Sequence, residues 1–322
     1  MSSTAGWIRG SGSAGRPRGK RVATDTVTSG AVAAIGTTGV SRFAGILRSL
    51  RRSPAGFIGF IIVALLVLIT SIGPIFTPTI EPNIKEILLP FGSPGHLLGT
   101  DNEGKDVLIQ MIDGGRSVIF IGFVAAAIST ALAIALGSLA AYLGGWVDSA
   151  VVTAADVVLT VPQIVLLAVL GALFKLDSPL LLALLVGGLS WPVLTRAVRS
   201  QVLSLKEREF VEAARLLDLG TPRVVFVEIL PNMASFILMN FMIGVTNAIY
   251  SLVGLYLLGL APLTGSNWGI MLNRAWIAGA IFNDASLGFI LSPVVAITLL
   301  LLGLVMMTRS LEEILNPRLR DR

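Results

Sequence analysis

Gly56-Phe-Ile-Gly-Phe-Ile-Ile-Val-Ala-Leu-Leu-Val-Leu-Ile-Thr-Ser-Ile-Gly-Pro-Ile-Phe76 contains no ionisable side chain. A helix rising about 1.5 Å per residue needs about 20 apolar residues to cross a hydrocarbon core of about 30 Å, so this stretch is long enough to span. Arg51 and Arg52 precede it as they would in a twin-arginine export signal, but no small-residue cleavage site follows. It reads as an uncleaved first helix anchored by its arginines. Working outward, five more apolar segments follow at 117–142, 150–174, 180–194, 235–260 and 286–307. Segment 180–194 is the shortest, and it needs residues such as Trp191 and Pro192, or a contact with protein, to complete a crossing. The predicted fold class is an all-α integral membrane protein with six transmembrane helices.

Composition agrees. The chain is 54% hydrophobic and 13% charged, against about 25% charged for soluble domains. There is no cysteine, which excludes disulfides, thiolate metal sites and thiol nucleophiles. His96 is the one histidine, so neither a hydrolase triad nor a zinc cluster can be assembled. The inventory points to no catalytic residue, no metal site and no cofactor bound by this chain.

The net charge of +5 could suggest nucleic acid, but its distribution points to a membrane. Of the 24 lysines and arginines, nineteen fall in three regions. These are the tail before the first segment, the loop holding Arg196, Arg199, Lys206, Arg208, Arg215 and Arg223, and a C-terminus with Arg309, Arg318, Arg320 and Arg322. The other side of a six-span chain holds only Lys85, Lys105, Arg116, Lys175 and Arg274. The positive-inside bias therefore places both termini in the cytoplasm.

Residues 1–42, rich in Ser, Gly, Ala, Thr and Arg, are expected to be a disordered basic cytoplasmic tail, and 43–322 the transmembrane domain. Within the tail, Gly15-Arg-Pro-Arg-Gly-Lys20-Arg21 lacks the spacing, the hydroxyl residue and the preceding strand of a phosphate loop. The outer loop 77–116 carries Pro78, Pro82, Pro90 and Pro94, with Glu81, Glu86, Asp101, Glu103, Asp106 and Asp113. It is too long for a simple connector and is expected to fold against the outer face.

The cytoplasmic loop 199–232 is the most informative. Phe210, Ala213, Ala214 and Leu217 recur at helical spacing and define one apolar face, while Arg208, Glu212 and Arg215 are spaced for ion pairs on another. Gly220 can end that helix, Thr221 can cap the next and Pro222 fits its first turn. The periodicity suits either a helix docking in a partner's groove or an amphipathic interfacial connector.

Glu212-Ala213-Ala214, followed by Ile229-Leu230-Pro231-Asn232, resembles the EAA loop of binding-protein-dependent ABC importer permeases. His96-Leu-Leu-Gly99-Thr100-Asp101-Asn-Glu-Gly104-Lys105-Asp106-Val is similar to the outer-loop motif of the oligopeptide, dipeptide and nickel branch of that family. So are Gly144-Gly145-Trp146-Val147-Asp148 with Asp156 and Pro162, then Ser266-Asn-Trp268-Gly269-Ile-Met271-Leu272, and finally Asn316-Pro317-Arg318-Leu319. The resemblance runs from about residue 45 to the end. It implies an ABC importer type I permease-like fold in the plasma (inner) membrane of a prokaryote. It also implies a second homologous permease subunit, an extracytoplasmic solute-binding protein and cytoplasmic ABC ATPase subunits that hold ATP and Mg. The resemblance makes Phe210, Glu212, Ala213, Ala214, Leu217, Asp218, Gly220 and Pro231 the ATPase-coupling loop. The cargo would be peptides or, on the same machinery, oligosaccharides or nickel.

Three departures from the family pattern stand out. Asp218 occupies the usual glycine position six residues after Glu212, which implies a turn displaced to Gly220. Lys105, Ile109 and Gln110 replace the usual arginine and Ser-Arg, and Leu252 stands where many peptide-transporting relatives carry glutamate. A secondary transporter would need paired broken helices and midplane carboxylates, which the sequence does not display. Asp156 reads as a structural pair or a transport residue, and Pro162 as a kink beside the pathway. Trp268 and Trp276 read as interfacial belt residues or substrate stackers.

Overall fold

A computed structural model describes residues 53–174, 178–263 and 265–315. The tail 1–42 and the Asn316–Leu319 motif lie outside the described residues. The described chain is helical, with only two isolated β-bridges, Ser93 to His96 and Thr100 to Asp106.

The first helix, α1 (Pro54–Ile72), is capped by Ser53 and continued by a 3₁₀ turn at Gly73–Ile75. Ile58, Ile61, Leu65, Leu68 and Ile72 are exposed along one face, while Gly56, Gly59, Val63 and Thr70 are buried on the other. An all-apolar helix exposing such a stripe is matched to lipid. Next come α2 (Val107–Leu143), α3 (Gly145–Leu159) and α4 (Gln163–Leu173), then α5 (Pro179–Leu205) and the short α6 (Glu209–Leu216). A helical stretch follows as Thr221–Arg223, a π-helical Val224–Ile229 and Leu230–Asn232. The chain finishes with α7 (Ala234–Leu257), α8 (Trp268–Ile277) and α9 (Leu287–Leu315). Five helices are long and apolar enough to cross a membrane, and α3 with α4 supplies a sixth crossing if the pair is one broken span.

Two expectations change here. The segment expected to be short is a helix of 27 residues that carries Pro192 within it, because its polar end through Arg196 and Arg199 remains helical beyond the apolar run. Hydropathy alone ended it too early. The segment expected to kink at Pro162 is instead broken, with α3 and α4 meeting at 80°. Pro162 has no N–H to continue α3 and takes extended ψ 127°, so α4 starts afresh at Gln163.

The core forms where α2 packs on α5 and α7, with α1 against α9 beside it. Small residues bring the helices close to α2: Gly187 of α5 meets Ala125, Gly137 meets Thr195 and Val198 of α5, and Gly244 of α7 meets Ala126. A Cβ on Gly187 would lie 2.5 Å from the Ala125 carbonyl oxygen, so the two backbones meet at a distance only glycine permits. In lipid, where apolar burial between helices gains little, such close packing holds helices together. Leu252 is fully buried in this core, so a glutamate there would sit inside the subunit.

Candidate functional site

Three constructions stand out, at the two ends of the bundle and at its middle. At the basic end, α5 runs on to Leu205, and Lys206 donates to the Ala141 carbonyl at 3.1 Å, tying the end of α2 to the loop. α6 then lies over a cluster of Val198, Val202, Val211, Ala214, Val224, Ile229 and Met233. Val211 and Ala214 face inward, at 0% and 5% exposure. Phe210, Glu212, Ala213, Leu216 and Leu217 face outward.

The single apolar face drawn through Phe210, Ala213, Ala214 and Leu217 is therefore divided. One side of α6 is spent on the chain itself, leaving an outward apolar strip around Ala213. The spacing for ion pairs is not used either. Among the described residues Arg208, Glu212 and Arg215 form no ion pair, and the Arg215 guanidinium lies over the Tyr142 ring, 5.3 Å from its centroid.

The turn after α6 is not displaced. Asp218 itself takes the left-handed conformation at φ 54°, directly after the C-cap Leu217, while Gly220 has φ −57° and precedes the next helix. Thr221 enters that helix instead of capping it. Aspartate is among the few residues that adopt this conformation at modest cost, which explains how it replaces glycine. Pro231 has a local role too. Its missing N–H and its ring crowd the preceding turn, which opens into the π-helix where Leu230 N–H reaches Val225 O.

At the opposite end, the outer motif folds into a closed hook. Helix α2 begins at Val107, ten residues before the expected segment, so the end of the 77–116 loop is helix. Asp101 is fully buried, and its carboxylate accepts hydrogen bonds from Glu103 N at 2.8 Å, Lys105 N at 2.9 Å and Gln110 Nε2 at 2.9 Å. Thr100 accepts from Leu89 N at 2.8 Å and donates to the Glu86 carbonyl. Asp106 caps α2 through Ile109 N at 3.0 Å and holds His96 Nδ1 at 2.7 Å. Gly99 and Gly104 both have positive φ, and a Cβ on Gly104 would lie 1.8 Å from the Asn83 carbonyl oxygen. These motif residues build a scaffold. No cluster of three potential metal-ligating side chains occurs among the described residues.

Asp106, and to a smaller extent Glu86, raise the His96 pKa above the ordinary 6.5, against an opposing effect of burial. A raised folded-state pKa means that this contribution to stability is complete below the unfolded value. It is lost as pH rises through the folded one. Glu103, held low by Lys105 and Arg274, titrates below that window. We expect the thermal midpoint of the purified protein to fall as pH rises from the ordinary histidine range, about 6.5, upward, with His96→Gln flattening the slope. A slope unchanged by that substitution would assign the effect elsewhere.

Trp268 is neither a belt residue nor a substrate stacker. It is 1% exposed, and its indole donates to the Met111 carbonyl at 2.8 Å. Beside it Asn267 caps α8 and bonds Ser117 at 2.8 Å. Trp276, 65% exposed, remains available to an interface. Asp156 is ion-paired with Arg196, and Asp148 with Arg199, so both carboxylates of α3 tether it to α5.

Sequence reading missed a groove of about 100 Å³ between α2, α5 and α7, lined by Ser129, Thr130, Ser190, Asn240 and Asn247 among apolar neighbours. Gln163, the first residue of α4, reaches it by donating to Ser190 at 2.8 Å. The available signal was Asn240, Gly244 and Asn247 at i, i+4 and i+7 within an apolar run.

A multi-span helical bundle with a short braced helix at one end and a closed hook at the other is the architecture of a polytopic membrane protein. Residues 133–321 match the family of binding-protein-dependent transport system inner membrane components, and residues 41–90 match the N-terminal transmembrane domain of oligopeptide transport permease C. The chain is 30% identical over 280 residues to the dipeptide transport system permease protein DppC of Haemophilus influenzae, covering 84% of this chain and 93% of that one. It is 32% identical over 227 residues to a putative peptide permease of Brucella suis (69% and 74% covered). It is also 34% identical over 178 residues to the oligopeptide transport system permease protein OppC of Mycobacterium tuberculosis (55% and 61% covered). The chain belongs to the binding-protein-dependent transport system inner membrane component family. It is a multi-pass inner-membrane permease subunit of an ABC importer and not an enzyme, the ATPase being on separate subunits.

Proposed function

We propose that this chain forms half of the translocation pathway of an ATP-driven peptide importer, with a second homologous permease subunit completing it. The basic end and both termini lie in the cytoplasm, in accord with the lysine and arginine bias. There α6 seats on ABC ATPase subunits that hold ATP and Mg, while an extracytoplasmic solute-binding protein delivers cargo at the hooked end.

The observation that carries this reading is α6 itself. Its inner side is fixed by Val211 and Ala214, yet Phe210, Ala213, Leu216 and Leu217 stay exposed beside Glu212. A short helix braced from behind and apolar in front suits a groove in a partner. To drive transport it must bind the two ATPase states unequally, since equal affinity shifts nothing. Peptide cargo is supported by the names of the dipeptide and oligopeptide relatives.

The test is uptake of a labelled neutral tetrapeptide into liposomes holding the complete complex and its binding protein. ATP-dependent accumulation is expected. Accumulation without the ATPase subunits, or uptake of cellotetraose instead, would overturn the reading.

A further inference from the structure

The groove between α2, α5 and α7 lies at the middle of all three helices. Asn247 sits near the centre of α7, and its side chain is exposed. It makes no hydrogen bond among the described residues, whereas Asn240 donates to the Phe236 carbonyl at 2.9 Å and keeps its own oxygen free. An amide turned toward lipid at that depth would leave its donors and acceptor without partners, at a cost of several kcal/mol. This face of α7 is thus suited to something polar and not to acyl chains.

Thr130 is the second, independent observation. A hydroxyl in these helices can donate to the carbonyl four residues back, as Thr246 does at 3.1 Å and Thr308 at 2.8 Å. Four buried ones, Thr130, Ser138, Thr195 and Ser310, have no partner among the described residues, and of these only Thr130 lines the groove. It is 8% exposed. A buried hydroxyl left unpaired in the chain is open to a visitor.

The lining contains no ionisable side chain. Its volume, about 100 Å³, is that of a small pocket. That is room for a peptide group and not for a whole solute. The helix break at Pro162 supports the same placement, because Gln163 beside it bonds Ser190, and irregular backbone at membrane depth occurs where it is covered by protein or lines a cavity.

We propose that this groove is a substrate-contact site of the translocation pathway that takes the uncharged amide groups of a peptide backbone. Thr130 and Asn247 offer the donor and acceptor that a passing C=O and N–H require, and no charge selects among side chains. The inference rests on the peptide-importer reading above and adds where and how the cargo is touched.

The experiment uses the complete complex in liposomes, with labelled tetra-alanine as the probe. Thr130→Val and Asn247→Leu should each lower peptide uptake by about threefold to tenfold, the worth of one lost hydrogen bond. The thermal midpoint and copurification of the partner subunits should not change, since neither side chain has a partner within the chain. Asn247→Asp should favour a lysine-containing tetrapeptide over an aspartate-containing one, a shift that a merely structural residue would not produce. Unchanged uptake in all three variants, with wild-type uptake intact, overturns the groove alone. Loss of copurification in Asn247→Leu assigns the face to subunit contact and also overturns it. Wild-type uptake of cellotetraose and not of tetra-alanine overturns both the amide assignment and the peptide reading.

Discussion

Asp101→Ala is expected to destabilise the hooked end by about 3 kcal/mol or more, since each buried donor left unpaired costs about 1–3 kcal/mol. Three donors converge on this side chain: the backbone N–H groups of Glu103 and Lys105 and the amide of Gln110. Gln110 is itself 4% exposed, so water cannot readily replace the lost acceptor. The damage should spread, because this hook leads directly into α2 and its Leu98 carbonyl meets Gly288 at the start of α9. Asp101→Asn provides the control. One oxygen stays for the two backbone donors, and Gln110 can turn its own oxygen toward the new amide group. The loss should then shrink to about 1 kcal/mol, that of exchanging charged for neutral hydrogen bonds. Thermal scans and hydrogen exchange over residues 83–106 measure both. Equal losses in the two variants would show that Asp101 acts by charge and not by accepting hydrogen bonds.

How much of this was legible beforehand depended on whether a feature was local. The spans were, because apolar length is a one-dimensional property: α1, α7 and α9 lie close to the runs read at 56–76, 235–260 and 286–307. Their ends were not, since helix persists past the apolar run wherever caps or neighbours support it. Asp106 moves the start of α2 outward, and Arg196 and Arg199, paired with Asp156 and Asp148, carry α5 onward. Pro162 announced a disturbance, but a kink and a break at proline look alike in sequence. Here the new helix starts at Gln163, whose side chain is held by Ser190 on α5, a partner distant in the chain. Trp268 misled because surface aromatics at a bilayer edge and a buried indole with one carbonyl partner look alike in sequence. The division of the α6 face was equally hidden, because a helical stripe shows which residues align and not which edge the chain itself covers.

That division produces the other large effect. Val211 is fully buried against the ends of α2 and α5, so Val211→Asp forces an unpaired carboxylate into an apolar cluster. A loss of about 3–5 kcal/mol is expected, the scale for an uncompensated buried charge. Yield and thermal midpoint should both fall. Ala213→Arg, two residues on, should leave stability within about 0.5 kcal/mol because its side chain points into open space. Its effect should appear only in the complex. A guanidinium on the outward strip blocks close approach at the centre of the proposed contact, where truncations typically cost 2 kcal/mol or more, so ATP-driven uptake should drop at least about thirtyfold. Ala214, though it belongs to the same motif, should behave like Val211, since it is 5% exposed in the same cluster. A bulky residue there tests the fold of the loop and not its docking. If Ala213→Arg unfolded the protein while Ala214→Arg left it intact and uncoupled, the two edges of α6 would have to be exchanged. If both variants stayed folded and transported normally, α6 would not be the contact that transmits the work of the ATPase.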